Sequence, residues 1–293
     1  MAAKIIDGKQ IAAEIRAELK EQVSLLKDKG VVPGLGVILV GADAASISYV
    51  TAKEKACSEA GIYSDDNRLP AETTEEELLG LVAKMNNDPK INGILVQLPL
   101  PKHIDEQKVL LAIDPSKDVD GFHPMNVGKM VVGDKAFLPC TPHGIIQMLM
   151  RTGVNLEGAE VVIVGRSNIV GKPLANMLIQ KSKAGNATVT VCHTRTKDIA
   201  AHTRRADIVI AAAGRANTVT ADMVKDGVVV IDVGVNRVED STKKRGYRLV
   251  GDADFEAIKE KASYITPVPG GVGPMTITML LYNTVESAKM ANG

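Results

Sequence analysis

A chain of 293 residues has room for two domains of about 150 residues, each with its own core. Its 35 Lys plus Arg balance 35 Asp plus Glu, which argues against a dedicated continuous polyanion such as duplex DNA as partner. Aromatic residues make up 3%, with no Trp, too few for the stacking platforms of single-strand nucleic-acid binders.

The amino end carries no apolar stretch of signal-peptide length and no window approaches a membrane span, so a soluble, cytoplasmic protein is expected. Residues 8 to 29 place Ile11, Ile15, Leu19, Val23 and Leu26 three and four apart, which predicts an amphipathic helix ended by Gly30. Leu35 to Val40 reads as a buried strand closed by Gly41. A helix from about Ala44 to Ala60 follows, with Asp43 as N-cap and Gly61 just past its end. A strand near Ile62, a helix from Thr74 to Asn86 and a strand from Ile91 to Val96 continue the alternation of a parallel α/β fold. From about residue 159 the rhythm restarts. Strands are expected at 161–164, 187–191, 208–212 and 228–231, each stopping at a Gly or a small polar residue, where an open parallel sheet keeps its ligand crevice. A helix follows Pro274 to about Lys289.

Several constellations carry chemistry. Gly165-Arg-Ser-Asn-Ile-Val-Gly171 joins a strand to a helix, where backbone N–H groups favour a pyrophosphate, although it matches neither G-x-G-x-x-G nor a Walker A loop. The next strand ends in Cys192-His-Thr194-Arg195 with no acid to grip a ribose 2′-hydroxyl. With Arg166 nearby, this points to NADP rather than NAD. Tyr49 and Lys53 stand four apart on one helix face, and a lysine shielded from water handles protons near neutral pH. Gln97 is a lone amide at a strand's carboxyl end, followed by Pro99 and Pro101. Asp118 and Asp120 share a loop, either as cap residues or as metal ligands, and Cys140 with His143 forms a weak metal pair. Cys57, Cys140 and Cys192 are too scattered for a disulfide framework and read as reduced thiols. Thr266 to Thr276 packs prolines and glycines, including Gly273 and Pro274, before the last helix, a place where backbone touches a flat ligand.

Six motifs in order, Tyr49-Val-x-x-Lys53, Val96-Gln-Leu-Pro-Leu-Pro101, Lys117-Asp-Val-Asp-Gly121, Cys140-Thr-Pro142, Gly165-Arg-Ser-x-x-Val-Gly-x-Pro173 and Pro267-Val-Pro-Gly-Gly-Val-Gly-Pro-Met-Thr276, resemble the bifunctional methylenetetrahydrofolate dehydrogenase/methenyltetrahydrofolate cyclohydrolases across essentially the whole chain. The resemblance implies an α/β chain of two domains with a cleft between them: a folate-binding catalytic domain and a Rossmann-type NADP-binding domain. Their expected limits are 1–122 plus 275–293 for the first and 123–274 for the second. It implies Lys53 as catalytic lysine, Tyr49 stacking on the substrate ring, Gln97 tuning the lysine, and Asp120 holding the pterin. Pro99, Gly273 and Pro274 stand beside the folate. Gly165, Arg166, Ser167, Thr194 and Val235 match the cofactor positions, and Arg195 joins them on its charge. The implied partners are one-carbon tetrahydrofolate derivatives, with homodimerisation and no metal, nucleic acid or membrane. The 181–185 connection is longer than usual in that family. The remaining readings are a single-activity enzyme, an NADP-dependent dehydrogenase of another small metabolite, and a nucleotide sensor without catalysis. The Tyr49/Lys53/Gln97 cluster speaks against the last two.

Overall fold

The structure is a computed structural model that describes residues 2–243 and 246–292. The strands in chain order are β1 (Lys4–Ile5), β2 (Gly34–Val40), β3 (Tyr63–Leu69), β4 (Gly93–Val96), β5 (Glu160–Val164), β6 (Thr188–Cys192), β7 (Ile208–Ala211), β8 (Val229–Asp232), β9 (Asn236–Glu239), β10 (Tyr247–Val250) and β11 (Tyr264–Ile265). They fall into two compact units, Ala13–Cys140 with Ile277–Gly293, and Met1–Ala12 with Thr141–Thr276.

The first of these units is built on a parallel sheet in the order β3-β2-β4. All seven residues of β2 are buried, as the aliphatic run Gly-Leu-Gly-Val-Ile-Leu-Val requires of a central strand covered on both faces. Ile38, Val40, Ile94 and Val96 pack with Leu78, Val82 and Met85 of the helix Glu75–Asn87. That helix starts at a capping box in which Thr74 and Glu77 satisfy each other's backbone donors. The helix Ala44–Ala60 is capped by Asp43, which accepts from the Ser46 N–H at 2.8 Å, and ends at Gly61 with φ 76°. Residues of the final helix, Val272–Ala291, lock onto loops of the same unit: the Asn283 side chain donates to the carbonyls of Val119 and Leu138 at 2.8 and 2.9 Å, and Ser287 donates to Asn92 at 2.6 Å.

The other unit holds a six-stranded, wholly parallel sheet in the order β1-β11-β8-β7-β5-β6. Its core is Val162, Val164, Val209, Ala211, Val230 and Ile265 with their neighbours. A separate antiparallel pair, β9 and β10, carries no signal that was read from the sequence.

The division differs from the expected one at three boundaries, the last only by two residues, at 276/277 instead of 274/275. Residues 1–12 join the six-stranded sheet because β1 pairs with β11, Lys4 with Tyr264 and Ile5 with Ile265, and so satisfies an otherwise open edge. The switch between units comes at 140/141 rather than 122/123, because the 121–140 stretch is held to the unit containing Asp118. There a Cβ on Gly121 would stand 2.6 Å from the backbone nitrogen of Pro139.

Candidate active site

In the unit built on β2, Lys53 is 7% exposed and donates from Nζ to Gln97 Oε1 at 3.0 Å. Gln97 sits one residue past β4, and its own amide donates to the Leu98 carbonyl at 2.7 Å, which fixes the carbonyl oxygen toward the lysine. Burial lowers the Lys53 ammonium below its usual value. The negative charge of Asp120 opposes that shift without cancelling it. Asp120 is the reciprocal case: removal from water pushes its carboxyl up to about 6, against the pull of Lys53. Burial thus works against the charged form of both groups, lowering the lysine and raising the carboxyl, the sense of shift that suits proton handling.

Asp118 and Asp120 play unlike parts. Asp118 is 2% exposed and accepts from the N–H groups of Gly121, Phe122 and His123 and from the Asn126 side chain at 2.8 Å. It shapes the loop, leaving Asp120 to face Lys53. The Cys140 thiol donates toward the Val119 carbonyl at 3.3 Å, and burial followed by the charge of Asp120 raises it well above its usual value. It is a protonated donor beside Asp120, neither a thiolate nor a nucleophile. His143 is pushed down to about 4 by burial. Among the described residues no group of three His, Cys, Asp or Glu side chains stands close enough to hold a metal.

Tyr49 lies one turn before Lys53 on the same helix and is 41% exposed. Its ring lies open to solvent on the face that buries Lys53. Pro99 is exposed in the turn after Gln97. Gly273 and Pro274 open the helix Val272–Ala291 in the other unit, and a Cβ on Gly273 would meet nothing within 4 Å.

In the six-stranded unit the carboxyl ends of four strands align, since Val164 pairs with both Cys192 and Ala211, and Ala211 pairs with Asp232. The chain leaves β5 for β6 on one side and returns to β7 on the other, so the β5/β7 junction is the switch point where such sheets take ligands. Gly165 stands there with φ 140°, and a Cβ on it would lie 2.0 Å from the Ala212 carbonyl oxygen. Gly171, first residue of the helix Gly171–Leu178, is equally tight, with a built Cβ 2.1 Å from the Gly165 oxygen. These glycines let the turn fold flat at a helix N-terminus, where exposed backbone N–H groups can meet an anion.

Arg166 and Ser167 are exposed in that turn, and Ser167 Oγ accepts from the Val170 N–H at 3.1 Å. Thr194 and Arg195 are exposed past the end of β6, next to β5, with no acid at the strand end. Val235 is 55% exposed past β8. The described geometry thus brings Lys53, Gln97 and Asp120 together in one unit and aligns Gly165, Arg166, Thr194, Arg195 and Val235 along one sheet edge in the other. The Asp118 network and the placement of Cys140 beside Asp120 were not read from the sequence. For Cys140 the sequence offered its place in the Cys-Thr-Pro motif and a weak metal pairing with His143, neither of which points to Asp120.

Residues 6–120 match the model of the tetrahydrofolate dehydrogenase/cyclohydrolase catalytic domain, and residues 139–292 match that of the family's NAD(P)-binding domain. A protein of Syntrophus aciditrophicus (strain SB) named bifunctional protein FolD is 62% identical over 293 residues, covering 100% of both chains. The crystal structure of the bifunctional FolD methylenetetrahydrofolate dehydrogenase/cyclohydrolase of Campylobacter jejuni superposes with a TM-score of 0.93 at 53% identity, over 99% of each chain. The FolD of Trypanosoma brucei, solved with NADP cofactor and inhibitor, gives 0.94 at 42% identity, covering 100% of this chain and 99% of that one. With both of its units matched in order and full-length relatives at this identity, the chain belongs to the tetrahydrofolate dehydrogenase/cyclohydrolase family.

Proposed function

We infer that this chain oxidises 5,10-methylenetetrahydrofolate to 5,10-methenyltetrahydrofolate with NADP and hydrolyses the product to 10-formyltetrahydrofolate. The observation that carries this reading is the buried Lys53–Gln97 pair facing Asp120, proton-handling machinery that a simple hydride transfer does not need. NADP, when bound, supplies the hydride acceptor. The residues fit it: Gly165 and Gly171 keep the phosphate turn free of side chains, Arg166, Ser167, Thr194 and Arg195 offer donors suited to a 2′-phosphate, and Val235 presents an apolar contact.

Oxidation at a carbon between two nitrogens leaves a cation stabilised by their lone pairs, so the protein's task in that step is alignment. Tyr49 and Pro99 position the folate, and Asp120 accepts from the donor edge of the pterin. In hydrolysis, water adds to the methenyl carbon and gives a proton to the Lys53 amine, whose unprotonated form burial favours. The lysine returns that proton to the departing ring nitrogen as the carbon–nitrogen bond breaks. The hydroxyl proton leaves as the formyl carbonyl forms. Gln97 keeps Nζ directed at the reacting atoms through both transfers.

The paired test is spectrophotometric: NADP reduction with the methylene substrate, and loss of the methenyl chromophore without nucleotide. Two positive results are expected, and a chain with the first activity alone would overturn the bifunctional reading. Asp120 also sets a pH limit. Its carboxyl takes up a proton as pH falls through about 6, and substrate binding through a carboxylate is then lost. Cyclohydrolase kcat/KM should therefore fall below about pH 6, and Asp120→Asn should remove that limb. A profile flat from pH 7 to about 5 would show that Asp120 is not the titrating group.

Homodimerisation and a cytoplasmic setting complete the reading. In its support, β3 leaves one ladder edge of its sheet open to a second strand, and the three cysteines are buried and unpaired, as suits a reducing compartment. No helix is long and apolar enough to cross a membrane, among the described residues.

A further inference from the structure

Two buried carboxylates lie below the carboxyl edge of the six-stranded sheet and take no part in the chemistry above. Asp232 ends β8 at 2% exposure, and Asp252, two residues past β10, is fully buried. Asp232 accepts from the N–H groups of Gly234, Asp252 and Ala253 at 3.0, 2.8 and 2.9 Å. Asp252 accepts from the Gly214 N–H at 2.7 Å on one oxygen and from the Asn236 side-chain amide at 2.8 Å on the other. Approach is so close that a Cβ on Gly234 would stand 2.1 Å from Asp252 Oδ1, and one on Gly251 would stand 1.8 Å from Asp232 Oδ2.

Burying two acids costs free energy that an apolar pair of similar size would not incur. What a carboxylate supplies and a methyl group does not is a fixed acceptor for several main-chain donors at once. Here those donors come from the chain after β7 (Gly214), the chain after β8 (Gly234 and Asn236) and the segment after β10 (Asp252 and Ala253). Residues 212–218 leave β7 beside the Gly165 turn, and residues 233–235, with the exposed Val235, leave β8. Val219 adds a bridge to Ala253, which ties the far end of the first loop to the Asp252 segment. Both loops therefore hang from one carboxylate cluster.

We propose that Asp232 and Asp252 are positioning residues for the nucleotide, holding the 212–218 and 233–236 loops at the spacing NADP requires without touching it. The proposal deepens the reading of this sheet edge as the nucleotide site and rests on it. In Asp252→Asn the side chain keeps its size but turns an amide NH2 against one of two donors, Gly214 N–H or Asn236 Nδ2, so one loop loses its anchor. The NADP dissociation constant should rise about tenfold while dehydrogenase kcat at saturating NADP stays within about twofold. Cyclohydrolase activity, assayed without nucleotide, should also stay within about twofold, a split that a general loss of folded protein does not produce. Asn236→Ala removes one side-chain amide, which donates to Asp252 and also to the Gly251 carbonyl at 3.1 Å, and carries the test if Asp252→Asn fails to fold. Its expected effect is about threefold on NADP affinity with the same split.

An unchanged NADP affinity in the folded variants, or equal losses in both activities, overturns the positioning role. A wild-type chain that does not bind NADP overturns the reading of the sheet edge itself, and the two failures are told apart by the wild-type titration.

Discussion

Lys53→Met is expected to lower cyclohydrolase turnover by about two to four powers of ten, the range over which a positioned acid or base contributes. Dehydrogenase turnover should fall by no more than about tenfold, because hydride removal asks for alignment and leaves its proton bookkeeping to the later step. The substitution is suited to the question. Lys53 is 7% exposed and its ammonium is already disfavoured by burial, so a methionine of similar length fills the same space without a charge to desolvate. Stability should hold or rise, and a thermal melt checks that the lost activity is not lost fold. Two groups change with it. Gln97 Oε1 loses its donor, and Asp120 loses the cation that pulls its carboxyl down, so that carboxyl should titrate above its present value of about 6. The result that would sink the division of labour is an equal fall in both activities with folate binding retained.

The site was partly legible in the sequence. Tyr49 and Lys53 are four apart on a helix whose cap, Asp43, and stop, Gly61, stand in the text, so their shared face followed from helix geometry. That Lys53 meets Gln97 did not follow, because 44 positions separate them and the contact exists only once β4 has paired with β2. The two aspartates of Lys117-Asp-Val-Asp-Gly121 look alike as letters. Only the folded loop shows that Asp118 is occupied by three backbone donors and Asn126. Strand β3 was the weakest of the expected strands, since Tyr-Ser-Asp-Asp-Asn-Arg-Leu is an edge strand with no buried residue and thus no hydrophobic alternation to read. Likewise the two residues of β1 carry no strand signal, and their place is set by the partner edge of β11. In the nucleotide unit the aliphatic strands β5, β7 and β8 were plain, being buried on both faces. The Asp232–Asp252 cluster was hidden by its twenty-residue separation.

Arg166→Ala should weaken NADP about 10- to 100-fold and NAD by less than about threefold, the difference being a charge-assisted contact to a phosphate that NAD lacks. The proposed role rests on where Arg166 stands along the chain. Arg166 follows the Gly165 turn at the end of β5, whose last residue pairs with Cys192, and the Gly165 N–H donates to the Cys192 carbonyl at 2.8 Å. Arg166 is therefore next to the strand end that carries Thr194 and Arg195, where an acid would sit in an NAD-selective site. Because the side chain is exposed and the chain as a whole has no net charge to attract an anion, the preference must come from local groups. It should accordingly shrink at high ionic strength in the wild type and much less in the variant. Arg166→Lys keeps the charge but not the planar fork and should recover only part of the preference. Equal losses for NADP and NAD would assign Arg166 to the pyrophosphate or to the turn itself, and would leave Arg195 as the cation reading the 2′-phosphate.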